Sequence, residues 1–279
     1  MAFDAKRYEE FEDNFEFRLI APDTWMITTK LLVPFSSDCY LLSGDESAIM
    51  IDTGMVPYLN LKDYVLELGL TDKPIIGTIS THSHFDHTGG NGWFGHAWMH
   101  ENSVYGATHA FGGNSDGYIL DYPIDLIKEG DVLDLGNRPL EIIEIGAHDL
   151  GSIAILDKNR RILFTGDELE TGWINVGSTT PEKKAGQTIE THYKNMQKLK
   201  ARYDEYDIIC PAHHGAPIDK SSIDDFLKCD EMILNGVPGD PYVPRKNGGE
   251  RFREIPHIKV MRYRMAHICY RDDRIFEDK

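Results

Sequence analysis

Thr81-His82-Ser83-His84-Phe85-Asp86-His87-Thr88-Gly89-Gly90 is the stretch on which the reading of this chain turns. It follows directly on Ile75 to Ser80, an apolar run with the length and composition of a short buried strand. On an extended backbone alternate side chains share a face, so His82 and His84 project to the same side. Asp86 and His87 fall where the chain turns, with Gly89 and Gly90 permitting a tight bend. Three imidazoles and one carboxylate within six residues are nitrogen and oxygen donors suited to zinc, with iron or manganese as alternatives. Donors this close in sequence do not readily surround one tetrahedral ion. Two neighbouring ions sharing the cluster fit better.

Outward from this segment the chain alternates strand-like and helix-like patterns. Strands are expected at Trp25 to Val33, Cys39 to Leu42 and Ala48 to Ile51, the last ending at Asp52-Thr53-Gly54. A helix is expected to open at Pro57, to carry Tyr58, Leu61, Val65 and Leu68 on its apolar face, and to close at Gly69. Strands return from Val132 to Thr165, with turns at Gly136-Asn137 and Lys158-Asn159. Ile189, Tyr193, Met196 and Leu199 mark a second amphipathic helix, and Tyr206 to Cys210 a strand ending at Pro211. Ser222-Ile223-Asp224-Asp225 reads as a capping box opening a third helix through Leu234. Residues 237–250 read as a loop or arm, and His257 to Ile275 as strand-like runs. Mixed in this way, the elements predict an α/β (α+β) layered arrangement. Residues 1–22 are expected as a leader packed on the domain, 23–235 as the core, and 236–279 as an extension.

Composition bounds the function. The 279 residues, 41% hydrophobic and 27% charged, are those of an ordinary globular protein, which excludes a disordered or collagen-like chain. No apolar run approaches the roughly 18 residues that span a bilayer. The N-terminal stretch MAFDAKRYEEFEDNFEF is charged from its fourth residue and has no apolar signal core, so the expected location is cytoplasmic, with no membrane partner. Lys and Arg number 29 against 46 Asp and Glu, a net charge of −17 that argues against a nucleic-acid partner. Cys39, Cys210, Cys229 and Cys269 lie far apart without a CxxC pair and read as reduced, structural thiols.

The sequence resembles the metallo-β-lactamase-fold superfamily, whose signature is HxHxDH, over residues 25 to 235. Besides the His82–His87 segment, Ile51-Asp52-Thr53-Gly54 is similar to the family's strand-end Asp. Gly146-Ala147-His148, followed by Gly151-Ser152, is similar to its third metal-binding His. Leu163-Phe164-Thr165-Gly166-Asp167 matches the strand that delivers the bridging carboxylate, and Cys210-Pro211-Ala212-His213 the strand-end His. The resemblance implies a four-layer αββα sandwich with a C-terminal extension. It implies that His82, His84 and His148 hold one metal, that Asp86, His87 and His213 hold a second, and that Asp167 bridges them. Asp52 would orient a ligand or a metal-bound water. His214 competes with His213 for the last position, and His213 is preferred.

The expected function is that of a dinuclear metal-dependent hydrolase with two divalent ions, zinc before iron or manganese. A metal-bound hydroxide, available near neutral pH, would attack a small ester, thioester or lactone carbonyl. His at position 84 argues against the di-iron flavoprotein branch, and Asp at position 167 against the antibiotic-hydrolysing members, leaving the glyoxalase II and lactonase-like hydrolases. Alternatives are a mononuclear iron oxygenase of the persulfide-dioxygenase type and a metal-stabilised binding protein without turnover. Trp173 and Tyr193 lie where such enzymes place substrate-contacting elements, although the helical spacing of Tyr193 fits plain packing better. Trp93, Phe94, Trp98 and Tyr105 read as core in preference to pocket wall. His96, His100, His109, His192, His257 and His267 read as surface or polar-network histidines. A small-molecule substrate is the expected partner, and a homodimer is an allowed assembly.

Overall fold

The computed structural model describes residues 14–30, 36–110, 113–177, 185–243 and 257–277. Apolar runs set its sheets. Ala48–Ile51 (β4) is buried at every residue, as expected of a central strand with no solvent face. Phe15–Ala21 (β1), Thr24–Thr29 (β2), Ser37–Ser43 (β3) and β4 follow one another as an antiparallel series. Ile75–Ile79 (β5), Ala97–Met99 (β6) and Ile124–Leu126 (β7) then add in parallel, giving a seven-stranded sheet in chain order. Helical segments make the parallel crossovers: Leu61–Glu67 (α1), the short turns Phe85–Thr88 (α2) and Asn91–Phe94 (α3), and Val104–Ala107 (α4). Ile27, Leu41, Met50, Val65 and Phe94 belong to the apolar cluster of this unit.

The chain divides into two compact units, Met1–Ile142 and Ile143–Lys279. The first ends in a hairpin of Val132–Asp134 (β8) with Pro139–Glu144 (β9), turning at Gly136 and Asn137, both with positive φ. In the second, Ile153–Asp157 (β10) and Ile162–Gly166 (β11) are antiparallel, and β11 pairs in parallel with Ile208–Pro211 (β13). Ile218–Asp219 (β14) closes that edge. A separate four-stranded sheet has the order Trp173–Val176 (β12), Ala266–Arg271 (β17), Ile258–Tyr263 (β16) and Asp240–Pro241 (β15). Helices Ile189–Ala201 (α5) and Ser222–Leu234 (α6) contribute Ile189, Met196, Phe226 and Ile233 to the main apolar cluster of this unit.

Several local expectations shift. Phe15–Ala21, inside the stretch expected as a leader, is a paired edge strand. The C-terminal strands are built into a sheet through the parallel pairing of β17 with β12. Helix α1 opens after Asn60, whose side chain accepts from Lys62 N at 3.0 Å, and not at Pro57; Tyr58, at φ 64°, cannot be helical. The capping box does not form. Asp219 Oδ1 accepts from Ser221 N at 2.8 Å, which makes Ser222 the first helical residue, and the Ser222 hydroxyl donates back to the Asp219 carbonyl. Phe94 is core, whereas Tyr105 is 73% exposed and stacks on His109. All four cysteines are buried thiols. Among the described residues no helix is long and apolar enough to cross a membrane.

Candidate metal centre

Two sets of candidate ligands form, one in each unit, and each grows from the carboxyl ends of two adjacent parallel strands, where open α/β sheets present their ligand sites. In the first unit β4 and β5 run in register, Ile51 beside Ile79, so Asp52 and Thr81 emerge side by side. Asp52 sits at φ 54°, a left-handed conformation that Asp tolerates better than most side chains, and its N–H donates to the Ile79 carbonyl. The carboxylate is thereby aimed at the motif. Its Oδ1 accepts from Thr81 N at 2.7 Å, and its Oδ2 accepts from the Thr81 hydroxyl at 2.7 Å and His87 Nδ1 at 2.9 Å. A carboxylate in this role can only accept, so Nδ1 carries the ring proton and Nε2 keeps the lone pair a metal ligand needs.

His82 and His84 come together as alternation predicts: His82 Nε2 lies 3.0 Å from His84 Nδ1, and the His82 and His87 ring centroids are 4.1 Å apart. The chain turns into α2 immediately after His84, which carries Asp86 back so that its Oδ2 is 3.8 Å from His87 Nε2. The glycines serve a different purpose from the expected bend. Neither has a positive φ; a Cβ on Gly90 would stand 2.8 Å from the Thr53 carbonyl, so close approach of backbones is what excludes a side chain there.

In the second unit β11 and β13 end together, Gly166 beside Pro211, with Ala212 N donating to the Gly166 carbonyl at 3.1 Å. The next residues are Asp167 and His213. His148 arrives from the loop after β9, its Nδ1 donating to the Asn175 carbonyl of β12 at 2.8 Å, which again leaves Nε2 as the lone-pair nitrogen. His148 Nε2 then lies 3.6 Å from Asp167 Oδ2, and His213 Nε2 lies 3.5 Å from Asp167 Oδ1. Those separations are long for hydrogen bonds. They match the spacing of about 3.4 Å between two ligands each about 2.1 Å from a shared tetrahedral ion. The donor set, nitrogen and carboxylate oxygen with the His148 imidazole in the metal-ready tautomer, fits a divalent cation beside Asp167.

Of the two competing histidines, His213 is the one beside Asp167. His214 sits at φ 62°, its Nε2 3.8 Å from Glu170 and its ring against Gly172. The Tyr193 hydroxyl donates to Glu231 of α6 at 3.3 Å, and the Trp173 ring packs edge-on against Tyr242 with centroids 5.4 Å apart. Sequence reasoning missed Glu168, His192 and Asp230. Glu168 Oε1 accepts from the backbone N–H groups of Ala147 and His148 at 2.8 and 2.7 Å. His192, expected among ordinary histidines, is fully buried between Asp230 and the Glu168 carbonyl.

The chain is 26% identical over 167 residues to acyl-coenzyme A thioesterase MBLAC2 of Homo sapiens, covering 49% of this chain and 59% of that protein. It is 30% identical over 135 residues to hydroxyacylglutathione hydrolase of Ruegeria pomeroyi, covering 48% and 46%. The matched region thus spans less than two thirds of either relative. A metallo-beta-lactamase from Pontibacter korlensis superposes over 78% of this chain and 99% of its own, with a TM-score of 0.59 at 21% identity. That likeness establishes the fold. A family model described as the metallo-beta-lactamase superfamily matches residues 32–214, which take in β3, the His82–His87 motif, Asp167 and His213. The chain belongs to the metallo-beta-lactamase superfamily.

Proposed function

We propose that this chain is a dinuclear metallohydrolase of small thioesters, with esters and lactones as secondary substrates. In this reading His82, His84 and His148 hold one divalent ion, Asp86, His87 and His213 hold the other, and Asp167 bridges them; zinc is the metal of choice for such a donor set. The observation that carries it is the Asp167 carboxylate with one imidazole Nε2 at each oxygen, 3.6 and 3.5 Å away. A carboxylate flanked on both sides is built to serve two cations.

Bound divalent ions supply an activated water near neutral pH and polarise a carbonyl oxygen. The chain's own residues do the positioning. Asp52 fixes His87 and the Asn175 carbonyl fixes His148, each by holding the ring nitrogen that the metal does not use. The preference for thioesters draws on the two relatives, one named an acyl-coenzyme A thioesterase and the other a hydroxyacylglutathione hydrolase.

The test is a metal-replete assay of the full chain on an acyl-coenzyme A, an S-acylglutathione, an aryl ester, a lactone and a phosphodiester. Thioester hydrolysis that disappears on chelation and returns with zinc is the expected result. Full metal loading without turnover of any carbonyl substrate would overturn the proposal, as would turnover of the phosphodiester alone.

A further inference from the structure

Helices α5 and α6 each carry one ionisable acid or base residue, His192 and Asp230, on a largely apolar buried face. In α5 the buried positions Ile189, His192, Met196 and Leu199 recur three and four residues apart, and in α6 Ile223, Phe226, Asp230 and Ile233 do the same. The two ionisable residues meet: His192 Nδ1 lies 2.8 Å from Asp230 Oδ2, and neither side chain has any solvent exposure. The other ring nitrogen, Nε2, is 3.0 Å from the Glu168 carbonyl. Facing a carbonyl and a carboxylate, which both accept, the ring is placed to donate from both nitrogens.

Stability alone does not account for such a pair, because an apolar pair of the same volume in the same place is commonly neutral or more stable. What an apolar pair cannot supply is direction. His192 anchors the main chain of Glu168, the residue next to Asp167, while the Glu168 carboxylate grips the backbone of Ala147 and His148. Gln187, one turn ahead in the approach to α5, donates Nε2 to the His148 carbonyl at 2.8 Å. The start of α5 is itself braced by the C-terminal segment, since Glu277 accepts from the Thr188 and Thr191 hydroxyls and its N–H donates to Glu190.

We infer that His192 and Asp230 are positioning residues for the metal centre: by fixing Glu168 they set the placement of the Asp167 carboxylate relative to His148. The inference rests on the reading of His148, Asp167 and His213 as metal ligands.

Zinc affinity, measured by chelator competition on the full chain, and the absorption bands of the cobalt(II) form test it. His192→Gln and Asp230→Asn are compared with Ile233→Ala, which removes core volume from the same helix without touching the pair. All measurements are made where circular dichroism shows each variant folded, and Asp230→Asn, which keeps the size of the side chain, decides the matter if His192→Gln does not fold. The two pair variants should weaken zinc binding by about 10–100-fold and shift the cobalt bands. Ile233→Ala should lower Tm and leave both readouts in place. Equal affinities and spectra in all three variants would overturn the inference while leaving the ligand assignment standing. A wild-type chain that binds neither zinc nor cobalt would overturn the ligand assignment and the inference with it.

Discussion

The two ligand sets solve the same problem with different resources. The first draws His82, His84, Asp86 and His87 from one continuous segment, and a single strand-end residue, Asp52, buttresses it. The second gathers His148, Asp167 and His213 from three separated segments, and its buttress is a buried chain running through Glu168, His192 and Asp230. Local sequence spacing aligns the first set almost without help. In the second, each ligand needs its own backbone to be held, and the interior of the helix pair does the holding. Where ligands are distant in sequence, positioning has to come from tertiary polar contacts, at the cost of burying charge.

Breaking this contrast begins at the residue expected to matter to both ions. Asp167→Asn should cut thioester turnover by roughly a thousandfold and lower the affinity of both ions, read by steady-state kinetics and metal analysis. His192→Ala leaves Asp230 buried without its partner and should cost about 3–5 kcal/mol in urea unfolding. An equivalent loss on removing Asp52 would erase the distinction drawn here. Asp52→Ala should instead act chiefly on metal, weakening retention by about 10–100-fold in chelator competition.

A gentler probe is pH. Burial alone would depress the His192 pKa, but the Asp230 carboxylate and, further off, Glu168 outweigh it and raise it from 6.5 to about 9. Between those values the folded chain keeps a proton that the unfolded chain has released. The stabilisation is therefore complete below about pH 6.5 and is lost as pH rises through about 9. Unfolding free energies measured across that interval should fall with pH, and the slope should flatten in Asp230→Asn. The smallest effect belongs to Tyr193→Phe. It removes one partly exposed hydrogen bond to Glu231, so stability should change by less than about 1 kcal/mol and turnover should stay within about twofold.

Much of the first ligand set was legible in the sequence because its information is local: strand alternation brings His82 to His84, and the turn after His84 returns Asp86 to His87. Asp52 stood at the end of an apolar run, whereas Asp167 and His213 were legible only through the resemblance of their segments to those of the superfamily. The buttress of the second set was not. In α5, positions 192 and 193 flank the same apolar stripe, and sequence spacing placed Tyr193 on it. The structure buries His192 and leaves Tyr193 half exposed. What selects between them is Asp230, 38 residues away on another helix, and no window of one helix contains that information. The same limit applies to Gly90 of the motif, whose requirement is set by Thr53 across the fold and not by its own dihedrals.

The most direct measurement of the central claim is anomalous diffraction from crystals of the zinc-loaded chain. The account predicts two zinc peaks on either side of the Asp167 carboxylate, one bound by His82, His84 and His148 and the other by Asp86, His87 and His213. A single peak, or peaks bound by one ligand set without the other, would contradict it.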